Sequence, residues 1–285
     1  MGKSFTERAD LLKKALRPLR TAFGKQTLEP VDNVARQLLK ILLIEETPEA
    51  VVEAALERVS TTFVDLNELR VSLAKEISDA LVGVARAHDK AVQITKLFNE
   101  IFLKHNSMEW NFVRTLGVRE LRQYFETVSG GSPELGAAAV MFFSTGHAVP
   151  ADADVCRILG RLELTEPDED VAALQGFLER AVTKEQGYET WALLHRLGES
   201  DCLVKAPLCP KCPLRTMCPT GQARIKAAKS APAKVASPAK TAKTAKTAKK
   251  PTAGKKKAAA AKPAAKAAVK AAVKAKKVGK GGSKK

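Results

Sequence analysis

Four of the five cysteines fall in one 17-residue stretch, Cys202-x6-Cys209-x2-Cys212-x5-Cys218. This spacing constrains the chain more than any other feature, because it brings four soft ligands within reach of one centre. Pro210 and Pro213 flank Cys212 and hold the stretch out of a helix. Four thiolates on an irregular loop suit either a zinc ion or an iron–sulfur cluster. Zinc sites often use two CxxC pairs. Only one is present, and the spacing alone leaves both metals open. The opening MGKSFTERAD is polar and lacks an apolar signal core. A reducing, cytosolic compartment is expected, where disulfides do not form.

Charge divides the chain in two. Residues 221–285 hold 21 Lys and Arg and no acidic residue, while the remainder carries 27 basic against 31 acidic residues. The formal net charge of +17 thus belongs to a tail on a nearly neutral body. The tail repeats Lys, Ala, Pro and Thr, as in TAKTAKTAKK and AAVKAAVKAKK. It has too little apolar surface to offset its ordering entropy, so disorder is expected in isolation. The Ala/Lys stretches after Pro263 can become helical on an anion. Such a segment suits a polyanion through phosphate contacts and counterion release. It lacks the bulky apolar anchors of a membrane-surface segment. No run of the chain reaches the ~18 apolar residues of a membrane span.

The body reads as all-α. Amphipathic helical spacing predicts helices over Asp32–Ile44, Thr47–Val59, Leu66–Ala85, Lys90–Leu103, Val118–Val128, Pro133–Phe143, Asp154–Leu162, Glu169–Thr183 and Tyr188–Leu197. Asp32, Thr47 and Ser132 are expected as caps, with Pro at the first helical position after Thr47 and Ser132. No segment shows strand alternation. Ser129-Gly130-Gly131-Ser132 stops one helix and starts the next. A tight turn of this kind exposes backbone N–H groups beside a helix N-terminus, which can hold a phosphate. Trp110, Tyr124, Tyr188 and Trp191 read as core, His88, His105, His147 and His195 as single core or surface residues, and Cys156 as a buried thiol.

The cysteine spacing at the end of an all-α body resembles the cluster signature of the endonuclease III family of DNA glycosylases, in the helix-hairpin-helix superfamily. Trp191-Ala-Leu-Leu-His195 resembles the helix leading into that cluster. Ala151-Asp152-Ala153-Asp154-Val155, followed by Arg157 and Leu159, resembles the family's Val-Asp-Thr-His-Val segment. Val128-Ser-Gly130-Gly131-Ser132-Pro-Glu134 lies where the family has Leu-Pro-Gly-Val-Gly and a catalytic Lys, and Gly83–Ala91 resembles its Gly…Lys-Ala stretch. The resemblance covers about residues 35–218, and the tail resembles those of linker-histone-like proteins.

The resemblance implies a two-lobed helical glycosylase fold. Residues 1–44 would pack with the cluster lobe, 45–149 would carry the hairpin, 150–218 would end in a 4Fe–4S loop on Cys202, Cys209, Cys212 and Cys218, and 219–285 would form the DNA-binding tail. It implies a monomer acting on double-stranded DNA, with Asp152 as the catalytic carboxylate and Gly130, Gly131, Ser132 and Lys205 as DNA contacts. Several positions depart from the family. Glu134 occupies the slot of the Schiff-base Lys, so Lys-dependent lyase chemistry is not expected; a Glu there also suits the helix dipole whatever its chemistry. Lys90 matches a family Lys outside that slot. Glu46 stands where relatives use a Gln to fill the gap in the duplex. Ser132 replaces a Gly, and a left-handed backbone there would be strained. The reading is a monofunctional N-glycosylase; the alternative is a DNA-binding protein of the same fold without catalysis, and a third is a zinc-stabilised chromatin-like binder.

Overall fold

The computed structural model describes residues 3–230. All of its regular elements are helical. In chain order they are α1 (Phe5–Phe23), α2 (Val34–Ile44), α3 (Glu49–Thr62), α4 (Leu66–Val71), α5 (Ala74–Ala80), α6 (Ala87–His105), a 3-10 turn (Asn111–Arg114), α7 (Val118–Val128), α8 (Pro133–Phe143), α9 (Ala153–Arg161), α10 (Val171–Ala181), α11 (Lys184–Ser200) and α12 (Pro219–Ser230). No described helix is long and apolar enough to cross a membrane.

One continuous apolar core runs from Ala9 to Leu214. α1 packs on α10 and α11, while α2 packs on α3, α6 and α8. α1 is also tied by charge. Buried Arg8 donates to the Leu164 carbonyl at 2.9 Å and to Glu169 at 2.6 Å, and Arg20 binds the Glu189 carboxylate through two nitrogens at 2.8 and 2.5 Å.

α8 lies at the centre, and Leu135–Phe142 are all buried. Its approach to α7 depends on Gly136. A Cβ there would sit 2.5 Å from Glu126 Cγ and 2.9 Å from the Arg122 carbonyl. Backbone contact this close fixes the α7–α8 hairpin as a rigid unit.

Several local expectations are corrected. Asn33, not Asp32, caps α2 by accepting from the Arg36 amide at 2.9 Å. Thr47 does not cap α3. It is buried, and its hydroxyl accepts from the Ala85 amide at 3.1 Å and donates to the Glu45 carbonyl. The expected helix over Leu66–Ala85 is split into α4 and α5. Ser72 donates to the Glu68 carbonyl at 2.7 Å, Glu76 accepts from the Leu73 amide at 3.0 Å, and both junction residues are extended. These side-chain bonds give the backbone an alternative to the helix.

The tail was expected to begin at residue 219. The structure instead continues through α12, which packs on α9. Pro219 suits a first helical position, and the buried Gly221 lies against Cys218. The Lys-rich segment 231–285, with its expected disorder and induced helix, lies outside the described residues.

Candidate active site

Asp152 caps α9. Its Oδ1 accepts the amides of Asp154 and Val155, both at 3.1 Å. Its Oδ2 accepts from Trp191 Nε1 at 2.9 Å and faces His195 Nε2 at 2.6 Å. Trp191 and His195 are four residues apart on α11, which puts them on one face. Burial disfavours the Asp152 charge. The His195 charge and hydrogen bond, the Val155 amide and the Trp191 indole outweigh it and hold the carboxyl below its ordinary range. Burial also disfavours the His195 cation, yet Asp152, then Asp154 and Glu199, raise its pKa above the usual value. The pair is therefore ionic, with Asp152 negative.

Asp152, Asp154 and His195 place ligand-type atoms within 4.8 Å of one another. Their acceptors are already engaged. Asp154 Oδ1 binds Arg157 and Oδ2 takes the Glu46 amide at 2.8 Å. The group is an internal hydrogen-bond network.

Asp152 lines a cavity of about 70 Å³ together with Glu134, Ser132, Gln93 and Glu45. Ile41, Ile44 and Trp191 separate it from a larger open cavity of about 460 Å³. The larger cavity is bounded by Phe142, Tyr188 and Trp191, with Phe142 and Trp191 edge-to-face at 5.5 Å. Lys40, held between Glu49 at 2.7 Å and Glu53 at 2.8 Å, lines it too. Trp191 belongs to the core as expected, with Tyr188 packed against it, and both also line this cavity. Trp110 and Tyr124 belong to an aromatic group around Phe112 and His105.

The Glu45–Glu46 loop is pinned from several sides. Lys90 is buried and donates to the carbonyls of Leu43 and Glu45 at 2.8 and 2.6 Å. Burial lowers its pKa to about 8, and its ammonium serves as a clamp on the end of α2. Arg86 binds Glu45 at 2.5 Å and Glu46 at 3.5 Å. Glu46 has a left-handed backbone, φ 56°, which its amide bond to Asp154 helps fix.

In the α7–α8 turn, Gly130 and Gly131 take φ 80° and 97°. Ser132 is extended at φ −80°, so the strain expected there does not arise. The turn amides are spent internally. Gly130 donates to the Thr127 carbonyl at 3.1 Å, Gly131 to the Glu126 carbonyl at 2.7 Å, and Ser132 to Ser129 Oγ at 3.1 Å. The expected array of free turn amides at Gly130, Gly131 and Ser132 is corrected accordingly. Ser129, replacing the family's Pro, supplies the hydroxyl that takes the last amide. The turn has a cation that the sequence did not reveal: a side chain at Gly130 would meet Lys96 Nζ at 3.6 Å. Lys96→Ala is expected to weaken duplex binding several-fold and reduce the log–log salt slope by about 0.9 if Lys96 meets a phosphate. Anisotropy titrations at several salt concentrations check this, and an unchanged slope removes Lys96 from the interface.

All five cysteines are free thiols. Cys202, Cys209, Cys212 and Cys218 line one small cavity of about 20 Å³ with Arg161 and Gly221. Arg161 donates to Cys202 Sγ at 3.1 Å, the Leu214 amide to Cys212 Sγ at 3.4 Å and the Gly221 amide to Cys218 Sγ at 3.3 Å. Burial pushes Cys212 up to about 11. Donors of this kind favour thiolates around a positive centre. Lys205 lies exposed on this loop. Cys156 is half-buried on α9 and donates to the Ala151 carbonyl at 3.2 Å.

An endonuclease III–DNA non-covalent complex matches over 76% of this chain and 98% of that one, with 20% identity and a TM-score of 0.59. The fold is that of endonuclease III. A trapped endonuclease III–DNA covalent intermediate gives 21% identity over the same shares at 0.59, and a thermostable thymine-DNA glycosylase gives 14% over 75% and 98% at 0.52. In sequence, the Arabidopsis thaliana protein named "Putative DNA glycosylase At3g47830" is 24% identical over 173 residues, 60% of this chain. The match spans 59% of that relative's length. No protein-family model matches the chain.

Proposed function

We propose that this chain is a DNA N-glycosylase of the base-excision-repair type that works by hydrolysis and without a Lys nucleophile. The observation that carries the reading is the half-buried, ionised Asp152 on the wall of a cavity it shares with the hairpin residue Glu134. A fixed negative charge there favours the positive charge that develops on a sugar as its base departs. Such chemistry requires a nucleotide turned out of the stack. The smaller cavity suits the sugar, and the aromatic-walled one next to it suits the base. Glu134 is a carboxylate and cannot form a Schiff base, which supports hydrolysis over lyase chemistry.

The four thiols would hold a 4Fe–4S cluster, which supplies a structural cross-link to the loop. Arg161 and the Leu214 and Gly221 amides would support the sulfur charge, and the exposed Lys205 would meet a phosphate. The partner is double-stranded DNA, bound by a monomer.

The experiment is base release by the purified full chain from duplexes carrying a panel of damaged or mismatched bases, with borohydride present in a parallel arm. Release of one base class without a trapped adduct is the expected result. A trapped adduct overturns the hydrolytic assignment, and no release from any duplex favours the non-catalytic DNA-binding reading.

The segment 231–285, with 18 Lys and no acidic residue, would raise the local concentration of DNA without reading sequence. Deleting it is expected to flatten the salt dependence of duplex binding by several units of log–log slope. A slope equal to that of the full chain rejects the role.

A further inference from the structure

Hydrolysis needs a group that takes a proton from water, and Asp152 is poorly placed to be that group. Each of its oxygens is already committed, Oδ1 to two amides and Oδ2 to Trp191 and His195. Protonating it would disrupt those bonds. It is a fixed charge, suited to electrostatic stabilisation.

The alternatives around the cavity narrow quickly. Glu45 is bound to Arg86 at 2.5 Å and accepts the Ala153 amide at 3.2 Å. The nearby Cys156 thiol is pushed up to about 11 by burial. Glu134 is different. It lines the same cavity as Asp152, and its side chain makes no hydrogen bond or ion pair among the described residues. Its backbone is nevertheless fixed: Ser132 caps α8 through the Leu135 amide at 3.2 Å, and Gly136 locks α8 onto α7. A free carboxylate on a rigid mount, across a cavity from a committed one, is the arrangement in which two carboxyl groups divide a glycosidic hydrolysis.

We propose that Glu134 is a catalytic residue, the general base that activates the hydrolytic water while Asp152 stabilises the sugar. The inference rests on the glycosylase reading above. The N-glycosidic bond breaks and its electron pair leaves with the base nitrogen. The water oxygen bonds to C1′, and its proton passes to the Glu134 carboxylate. That proton then goes to the departing base or to solvent, leaving a free base and an abasic sugar with a C1′ hydroxyl.

The test uses the full chain and a panel duplex from which the wild type releases base. Glu134→Gln is expected to slow single-turnover release by about 100-fold or more, the usual range for a general base. Its affinity for a duplex with a tetrahydrofuran abasic site should stay within about threefold of wild type if binding is uniform. Added formate should restore release in Glu134→Ala, whose truncated side chain leaves room for it, and leave Asp152→Asn unaffected. Glu134→Lys should give a borohydride-trapped adduct, because an amine in this position would reach C1′. A Glu134→Gln rate within about threefold of wild type, absence of formate rescue, or no adduct with Glu134→Lys overturns the inference while the glycosylase reading stands. A wild type that releases no base overturns both.

Discussion

Asp152→Asn is expected to lower single-turnover base release by about 100- to 1000-fold, the range found when one preorganised electrostatic group is removed from a transition state. The substitution preserves size, and Asn caps a helix about as well as Asp. The amides of Asp154 and Val155 therefore keep their acceptor. The other end of the side chain loses its charge, and its new amide group faces the Trp191 and His195 nitrogens. That mismatch should cost about 1–3 kcal/mol of stability. The pH dependence separates the effects. Asp152 has a depressed pKa, so its contribution is present above the ordinary carboxyl range and fades as pH falls through the folded value. His195 has a raised pKa, so its contribution is full below 6.5 and is lost as pH rises through the folded value. Wild-type stability should thus decline above neutrality, and the variant should show a flatter profile. Thermal midpoints between pH 5 and pH 9 read this directly. Base release at the wild-type rate in a folded Asp152→Asn protein would move the chemistry elsewhere.

Cys212→Ser should have the largest effect on stability. The four sulfurs line one cavity, and a short irregular loop has little other reason to hold its shape. Structural metal centres can contribute on the order of 10 kcal/mol to the folding of the segment that binds them. Losing one ligand of four is expected to empty the centre, remove the brown colour of an iron–sulfur protein, and open residues 202–218 to proteases. Duplex affinity should fall with it, because Lys205 is carried on that loop. Iron and sulfide analysis of anaerobically purified protein tests the cluster directly. Stoichiometric zinc in a colourless wild-type protein would replace the cluster with a single ion.

The sequence was most readable where periodicity and turn chemistry agree. α7 and α8 begin and end at the expected residues, because a Ser-Gly-Gly-Ser turn punctuates two strongly apolar patterns. It was least readable where a polar side chain bonds back to the main chain. Ser72 and Glu76 break an apparent helix by contacts with Glu68 and Leu73 that no periodicity reveals. The site shows the same division. Asp152 was legible through its short motif, and the cysteines through their spacing. His195 and Lys96 were not. Their significance depends on which helix crosses which, α11 over the start of α9 and α6 beside the hairpin. The only local hint for His195 was its distance of four residues from Trp191, a spacing equally common in ordinary cores. The hairpin amides were misread for a smaller reason, since one hydroxyl at Ser129 decides whether the Ser132 amide faces out or in.

α9 links the two chemistries of the molecule. Asp152 caps its beginning, and at its end Arg161 spreads over the carbonyls of Cys202, Leu203 and Val204 and the sulfur of Cys202. The helix is only nine residues, or about 14 Å, long. A rod that short transmits displacement from one end to the other with little loss. Under the proposed function, oxidative damage at the sulfur end would slacken the anchor of the carboxylate end without any reaction taking place there.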